Sequence, residues 1–157
     1  MDQTNLHRAV HKYGDMVFKI AMVLLRNRDD AEDAVQNTFL RFYRKAPAFG
    51  SSEHERNWLI HVAIKEAKSL RRTALRHSHD TLDGVEVAAP TPDRLPEFLF
   101  SLPEKDRLVL QLRYVEGYSA EEIAEVLGCR SAAGRKRLER ARAKARDIYE
   151  KEYMEHA

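Results

Sequence analysis

At 157 residues, one third of them charged and with 27 basic against 25 acidic side chains, the chain has room for one medium domain or two small ones, and any affinity for polyanions must come from local patches. The longest apolar run, Ile20 to Leu25, is too short to span a bilayer, and the N-terminus carries neither a basic segment nor a small-residue cleavage site, so a cytoplasmic chain with no membrane span is expected. The single cysteine, Cys129, excludes an intrachain disulfide and reads as a small buried apolar residue.

Leu6, Ala9, Val10, Tyr13, Val17, Ile20, Ala21 and Leu24 recur at steps of three and four, which predicts a first helix from Thr4 to Arg26 with these residues inward. Asn27 and Arg28 interrupt it. Asp29 and Asp30 read as caps of a second helix from Ala31 to Ala46, with Glu32 and Asp33 complementing its dipole and Ala34, Val35, Thr38, Phe39, Phe42 and Tyr43 inward. Pro47 stops this helix, and a loop with Gly50 follows. Ser52 with Glu55 has the form of a capping box, opening a third helix that carries Trp58, Leu59, Val62, Ala63 and Leu70 and ends between Arg72 and Arg76. Its far half holds Lys65, Lys68, Arg71, Arg72 and Arg76 against Glu66, a surface able to meet phosphate.

From His77 to Asp93 the periodicity is lost and Gly84, Pro90 and Pro92 appear, which predicts a flexible linker at 77–93 between domains at 1–76 and 94–157. Beyond it, Pro96 to Leu102 reads as a short helix. Pro103 starts another, with Leu108, Val109, Leu112 and Val115 inward, and Glu116 and Gly117 end it. Ser119 with Glu122 is a second capping box, followed by Ile123, Ala124 and Leu127 inward and by Gly128 where a left-handed residue ends a helix. After a turn through Cys129 and Arg130, Ser131 is an N-cap candidate for a last helix with Leu138, Ala141 and Ala145 inward. Its outward side holds Arg135, Lys136, Arg137, Arg140, Arg142, Lys144 and Arg146, seven bases against the single acid Glu139. The fold class is therefore all-α: two small helical domains joined by a flexible linker, the C-terminal one a helix-turn-helix.

A helix-turn-helix whose second helix begins with small residues and continues with arginines is a candidate for the DNA major groove; on charge density alone, a solvated basic helix closing a bundle is the plainer reading. Nothing invites an enzyme assignment. No glycine-rich phosphate loop is present, no serine or cysteine has a partner base, and His7 with His11, or His77 with His79, lacks a third metal ligand. No cofactor and no metal are expected.

DDAEDAVQNTFLRFYRK (Asp29 to Lys45), NWLIHVA (Asn57 to Ala63), LPEKDRLVLQLRYVEGYSAEEIAEVLGC (Leu102 to Cys129) and RLERARAKAR (Arg137 to Arg146) together, in this order, resemble an extracytoplasmic-function sigma factor of bacterial RNA polymerase, of the sigma-70 family. The resemblance implies a dissociable subunit that binds core RNA polymerase and directs promoter-specific initiation without catalysis of its own. A sigma-like regulator that binds DNA or polymerase but does not initiate is the alternative. The resemblance further implies that Asp30, Glu32, Asp33, Gln36, Asn37, Phe39 and Leu40 dock on the polymerase; the first three also serve as ordinary dipole-complementing acids. The loop from Phe49 to Arg56 and the helix from Asn57 are similar to the part that holds the melted minus-ten element. Asn57, Lys65, Lys68, Arg71 and Arg72 are its implied contacts, with Trp58 expected in the core. Arg130, Ser131, Ala132, Arg135, Lys136, Arg137 and Arg140 would read the minus-thirty-five element as duplex, Arg135 first, because arginine to guanine is the commonest specific contact. Promoter DNA, core polymerase and an anti-sigma protein are the implied partners.

Three positions depart from the family pattern. Gly134 stands where a branched apolar residue usually faces inward, which predicts a loosely started recognition helix. Lys65 and Ser69 stand where asparagine and an acid or asparagine are usual, near the melting surface.

Overall fold

The computed structural model describes the backbone of residues 1–77 and 95–155 and the side chains of 1–73 and 95–152. Its contacts divide the chain into two compact units, Met1–Val87 and Ala88–Ala157. The division falls inside 78–94, so nearly all of the predicted linker lies outside the described residues, as does the side chain of Arg76. Among the described residues every regular element is helical, and no helix is long and apolar enough to cross a membrane.

In the first unit three helices, α1 (Gln3–Leu25), α2 (Arg28–Lys45) and α3 (Ser52–His77), pack pairwise against one another. Asp2 caps α1 by accepting the Asn5 amide at 2.8 Å, and Arg26 ends it in the left-handed region with φ 56°. Ala9, Tyr13, Met16, Val17, Ile20, Val23 and Leu24 face inward. Val10, placed inward by the sequence reading, is exposed although it lies only about 20° around the helix from buried Val17, so the periodicity of α1 alone does not decide its burial.

The start of α2 differs from expectation. Asn27, not Asp29 or Asp30, is the cap, accepting the Asp30 amide at 2.9 Å, so the two acids sit in the first helical turn. Phe42 and Thr38 are fully buried, and the Thr38 hydroxyl donates to the Ala34 carbonyl at 2.7 Å. Val35 is half-buried and Tyr43 is exposed, so the inward stripe is narrower than predicted and centres on Ala31, Ala34, Thr38, Phe39 and Phe42. Burying each large member of this core contributes about 1.5 to 3 kcal/mol before chain entropy is set against it.

The capping box predicted at Ser52 and Glu55 does not form. Ser51 caps α3 instead, its hydroxyl accepting the His54 amide at 3.0 Å. Glu55 is buried and accepts from both terminal guanidinium nitrogens of Arg8, at 2.6 and 3.1 Å. A two-point charge-assisted bond across the bundle outcompetes one backbone amide.

In the second unit a 3-10 turn (Glu97–Ser101) leads into α4 (Glu104–Leu110), which widens into a π turn (Gln111–Val115), followed by α5 (Ala120–Leu127) and α6 (Ser131–Glu155). The helix predicted from Pro96 is thus only this 3-10 turn. In the π turn the Glu116 amide reaches Gln111 at 3.1 Å and the Tyr118 amide reaches Leu112 at 2.8 Å. Leu112 and Gln111 are both fully buried, and neither side-chain polar atom of Gln111 has a hydrogen-bond partner. Buried Arg107 is satisfied, donating to the Leu102 carbonyl at 2.7 Å with its guanidinium over Phe100.

Candidate nucleic-acid interface

The pair α5–α6 is built by local chemistry at three points. Ser119 and Glu122 form the capping box, with the Glu122 amide donating to the Ser119 hydroxyl at 3.1 Å and the Ser119 amide donating to the Glu122 carboxylate at 3.0 Å. At the other end Gly128 is left-handed, φ 70°; its amide reaches Glu125 at 3.2 Å and the Cys129 amide reaches Ala124 at 2.9 Å, the paired bonds of a Schellman stop. Val126 rather than Leu127 is the buried residue of that last turn. Ser131 is the first helical residue of α6, not its cap: Arg130 stands in the cap position, its carbonyl accepting the Gly134 amide at 3.0 Å. Cys129 is half-buried.

Gly134 overturns the expectation of a loose recognition helix. It is buried, and a Cβ there would stand 2.7 Å from the Ala124 Cβ and 2.9 Å from the Ala120 carbonyl oxygen. The helix cost of glycine is set against a close crossing of α5 and α6 that a branched side chain would block.

Leu138 and Ala141 hold α6 against the core, with Ala145 half-buried. Arg130, Ser131, Ala132, Arg135, Lys136, Arg137 and Arg140, the residues expected to face a groove, are all exposed, as are Arg142, Lys144 and Arg146. Three of these cations are tied within the unit. Arg135 meets Glu121 at 3.1 Å, Lys144 meets Asp106 at 2.9 Å, and Arg142 donates to the Tyr114 hydroxyl with its guanidinium 5.5 Å from that ring. A cleft of about 310 Å³ opens between the start of α5 and the flank of α6, lined among others by Arg113, Glu121, Arg135, Glu139 and Arg142. The Glu121 carboxyl is held below its ordinary range, first by its own backbone amide and then by the Arg135 guanidinium. Arg113 and Glu121 escaped the sequence reading because their place in the cleft depends on how α5 crosses α6.

In the first unit, Asn57, Lys65, Lys68 and Arg72 follow one another at helical steps on α3 and share a face; Lys65 and Arg72 are exposed, while Asn57, Lys68 and Arg71 are half-buried. Exposed His61 lies between Asn57 and Lys65 on the same face, and its spacing could have revealed it. Beside the start of α3, Phe49 stacks on Phe42 at 6.2 Å and meets the edges of Trp58 at 5.8 Å and His54 at 5.1 Å. Trp58, expected in the core, is half-buried at the rim of this cluster.

On α2, Glu32, Asp33, Gln36 and Leu40 are exposed and Asp30 and Asn37 half-buried. Phe39, inward by its spacing, is buried and packs edge-on against Phe42 at 6.4 Å, which leaves little of its ring for the docking face that the resemblance implies. Exposed Tyr43, one turn beyond Leu40, extends the face that Asp33, Gln36 and Leu40 share. Burial raises the Asp30 pKa, helped by the charges of Asp33 and Asp29. Among the described residues no group of histidine, cysteine and carboxylate side chains could hold a metal ion.

Residues 9–77 match the family model of Sigma-70 region 2, and residues 93–144 match that of Sigma-70, region 4. The ECF RNA polymerase sigma factor SigE of Mycolicibacterium smegmatis is 30% identical, the match covering 94% of this chain and 63% of that protein. A probable RNA polymerase sigma factor, RfaY of Xanthomonas campestris, is 31% identical over 89% of this chain and 39% of its own length. The chain thus spans less than two thirds of either relative. The ECF RNA polymerase sigma-E factor of Haemophilus influenzae is 29% identical, with 79% of this chain and 78% of that protein covered. In fold, the sigma factor RpoE of Bartonella quintana, solved in complex with the anti-sigma factor NepR, aligns with a TM-score of 0.76 at 22% identity, over 93% of this chain and 97% of that one. CnrH, solved with the cytosolic domain of CnrY, aligns with a TM-score of 0.71 at 24% identity, over 95% and 90%.

Proposed function

The chain belongs to the sigma-70 family of RNA polymerase sigma factors, and from that premise we propose that it binds core RNA polymerase and directs initiation at promoters carrying two spaced DNA elements. The observation that carries this reading is the α5–α6 pair, a capped and closely crossed helix-turn-helix whose second helix exposes seven basic residues from Arg135 to Arg146, interrupted only by Glu139. Such a helix fits the major groove, with Ser131 and Ala132 small enough for backbone to approach and Arg135, Lys136, Arg137 and Arg140 in reach of base edges and phosphates. The region-4 match covers these same residues.

The basic face of α3 suits the opened strand, its cations tracking phosphates while the Phe49–Trp58 cluster offers ring surface to an unstacked base. The exposed strip of α2, from Asp33 through Gln36 and Leu40 to Tyr43, suits a protein surface with basic and apolar patches, which on this reading is the polymerase. Control by an anti-sigma protein follows the two structural relatives, each solved with such a partner or with a cytosolic partner domain. The site of action is then the cytoplasm, with no chemistry performed by the chain itself.

Single-round transcription with purified core polymerase on randomised promoter DNA tests the reading, by sequencing the transcripts. Products sharing two spaced motifs are expected. Tight core binding without products would replace this reading with that of a sigma-like regulator, and would direct attention to Lys65 and Ser69 on α3.

A further inference from the structure

Resting on the reading of α6 as a duplex-reading helix, we propose that Glu121 is a positioning residue for Arg135, tying one guanidinium nitrogen from the neighbouring helix so that the remaining edge is aimed at a guanine. The contact runs from Arg135 Nη1 to Glu121 Oε1 at 3.1 Å. Guanidinium carries five N–H donors in a rigid fork, so engaging Nη1 leaves the Nε and Nη2 donors on the adjacent edge free for the two acceptors of guanine, O6 and N7.

Both ends of the tie are fixed independently of DNA. Glu121 lies in the first turn of α5, whose start is set by the Ser119–Glu122 box; Arg135 follows Gly134, the point at which α6 crosses Ala124. With both backbones held in this way, the tie between the two side chains is the last freedom to be set on binding. The pair itself is open to solvent, 55% and 58% exposed, so it adds little to stability and can be removed without unfolding the unit.

A carboxylate beside a groove-reading helix repels every DNA sequence alike through the phosphates. It favours only the sequence at which an aimed Arg135 finds its guanine. Glu121 therefore exchanges general affinity for discrimination, and its removal moves the two quantities in opposite directions.

The test uses holoenzyme assembled from the full chain and core polymerase. The probes are a duplex enriched by the wild-type holoenzyme from a randomised library, single base-pair replacements of it, and a scrambled duplex. The base pair read by Arg135 is the one whose discrimination is lost in R135A. In E121A, discrimination at that pair is expected to fall about tenfold, the order set by one bidentate arginine contact, while binding to the scrambled duplex tightens. E121Q, which keeps an acceptor oxygen, should recover part of the discrimination, and E121A should add nothing in an R135A background. Equal tightening on all duplexes, unchanged discrimination, or a loss that persists without Arg135 would each overturn the proposal. Failure of the wild type to enrich any duplex would overturn the duplex reading itself, and the proposal with it.

Discussion

The openings of α3 and α5 each present a serine followed three residues later by a glutamate, and the two glutamates go to different partners. Glu122 folds back on the Ser119 amide within its own turn. Glu55 turns away from its helix to Arg8 on α1, leaving Ser51 to cap. A capping box is a local contest for one carboxylate, and a bidentate cation delivered by another helix wins it. The same contrast extends to the junctions around them. The α1–α3 contact is polar, with Arg8–Glu55 supported by the Tyr13 hydroxyl donating to the Ser52 carbonyl and Arg56 reaching the Met16 sulfur at 3.4 Å. The α5–α6 contact is steric, a glycine against two alanines.

The largest effect is expected where the junction is steric. G134V forces a branched side chain into the space held by Ala124 and the Ala120 carbonyl, and should destabilise the second unit by about 3 kcal/mol, at the upper end of overpacking. The single tryptophan, Trp58, lies in the first unit, so far-UV circular dichroism should show an early transition while Trp58 fluorescence melts as in the wild type. Coincident shifts of both signals would mean that the units unfold together. At the polar junction, R8A leaves the buried Glu55 without its cation. Arg8 is itself partly exposed, which moderates the loss to about 2 kcal/mol, and here the Trp58 transition should move. A null result in R8A would show that water serves Glu55 as well as the guanidinium does.

The serines sharpen the contrast at smaller scale. S119A and S51A should each cost about 1 kcal/mol as lost caps, and S52A close to nothing, read from urea midpoints of the full chain. If S52A were as costly as S51A, the difference between the two openings would disappear.

These examples mark what the sequence could carry. The α5 cap, the Gly128 stop and the outward basic face of α6 were legible because each depends on residues within a turn or two of one another. Placing the α2 cap at Asp29 or Asp30 rather than Asn27 is a local ambiguity: asparagine and aspartate are equally good caps, and the apolar pattern does not say which of the three opens the helix. The destination of Glu55, the exposure of Val10 and Tyr43 and the role of Gly134 were not legible. Each is set by which face another helix presents, and a periodicity that counts residues along one helix holds no information on that. Gly134 is the clearest case, since its propensity argued for looseness and its neighbours require its absence of a side chain.

The smallest effect concerns Asp30, where the first unit holds an acid that it disfavours. Desolvation, with the charges of Asp33 and Asp29, raises its pKa above the unfolded value. The native state therefore takes up this proton before the unfolded state does, and the penalty on the charged form is fully present above the raised value and relieved as pH falls through it. D30N should raise the urea midpoint followed by Trp58 at neutral pH, by no more than about 0.5 kcal/mol, the scale of one like-charge pair on a helix. That advantage should vanish as the pH is lowered through the Asp30 titration. Part of the penalty is already offset by the dipole at the start of α2, which favours any acid there. What remains is a charge that stabilises nothing within its own unit, and so the same D30N chain should bind core polymerase more weakly and with a shallower salt dependence if this end of α2 meets a basic surface. Greater stability together with weaker binding would assign Asp30 to the partner; greater stability with unchanged binding would leave it an acid of the first helical turn and nothing more.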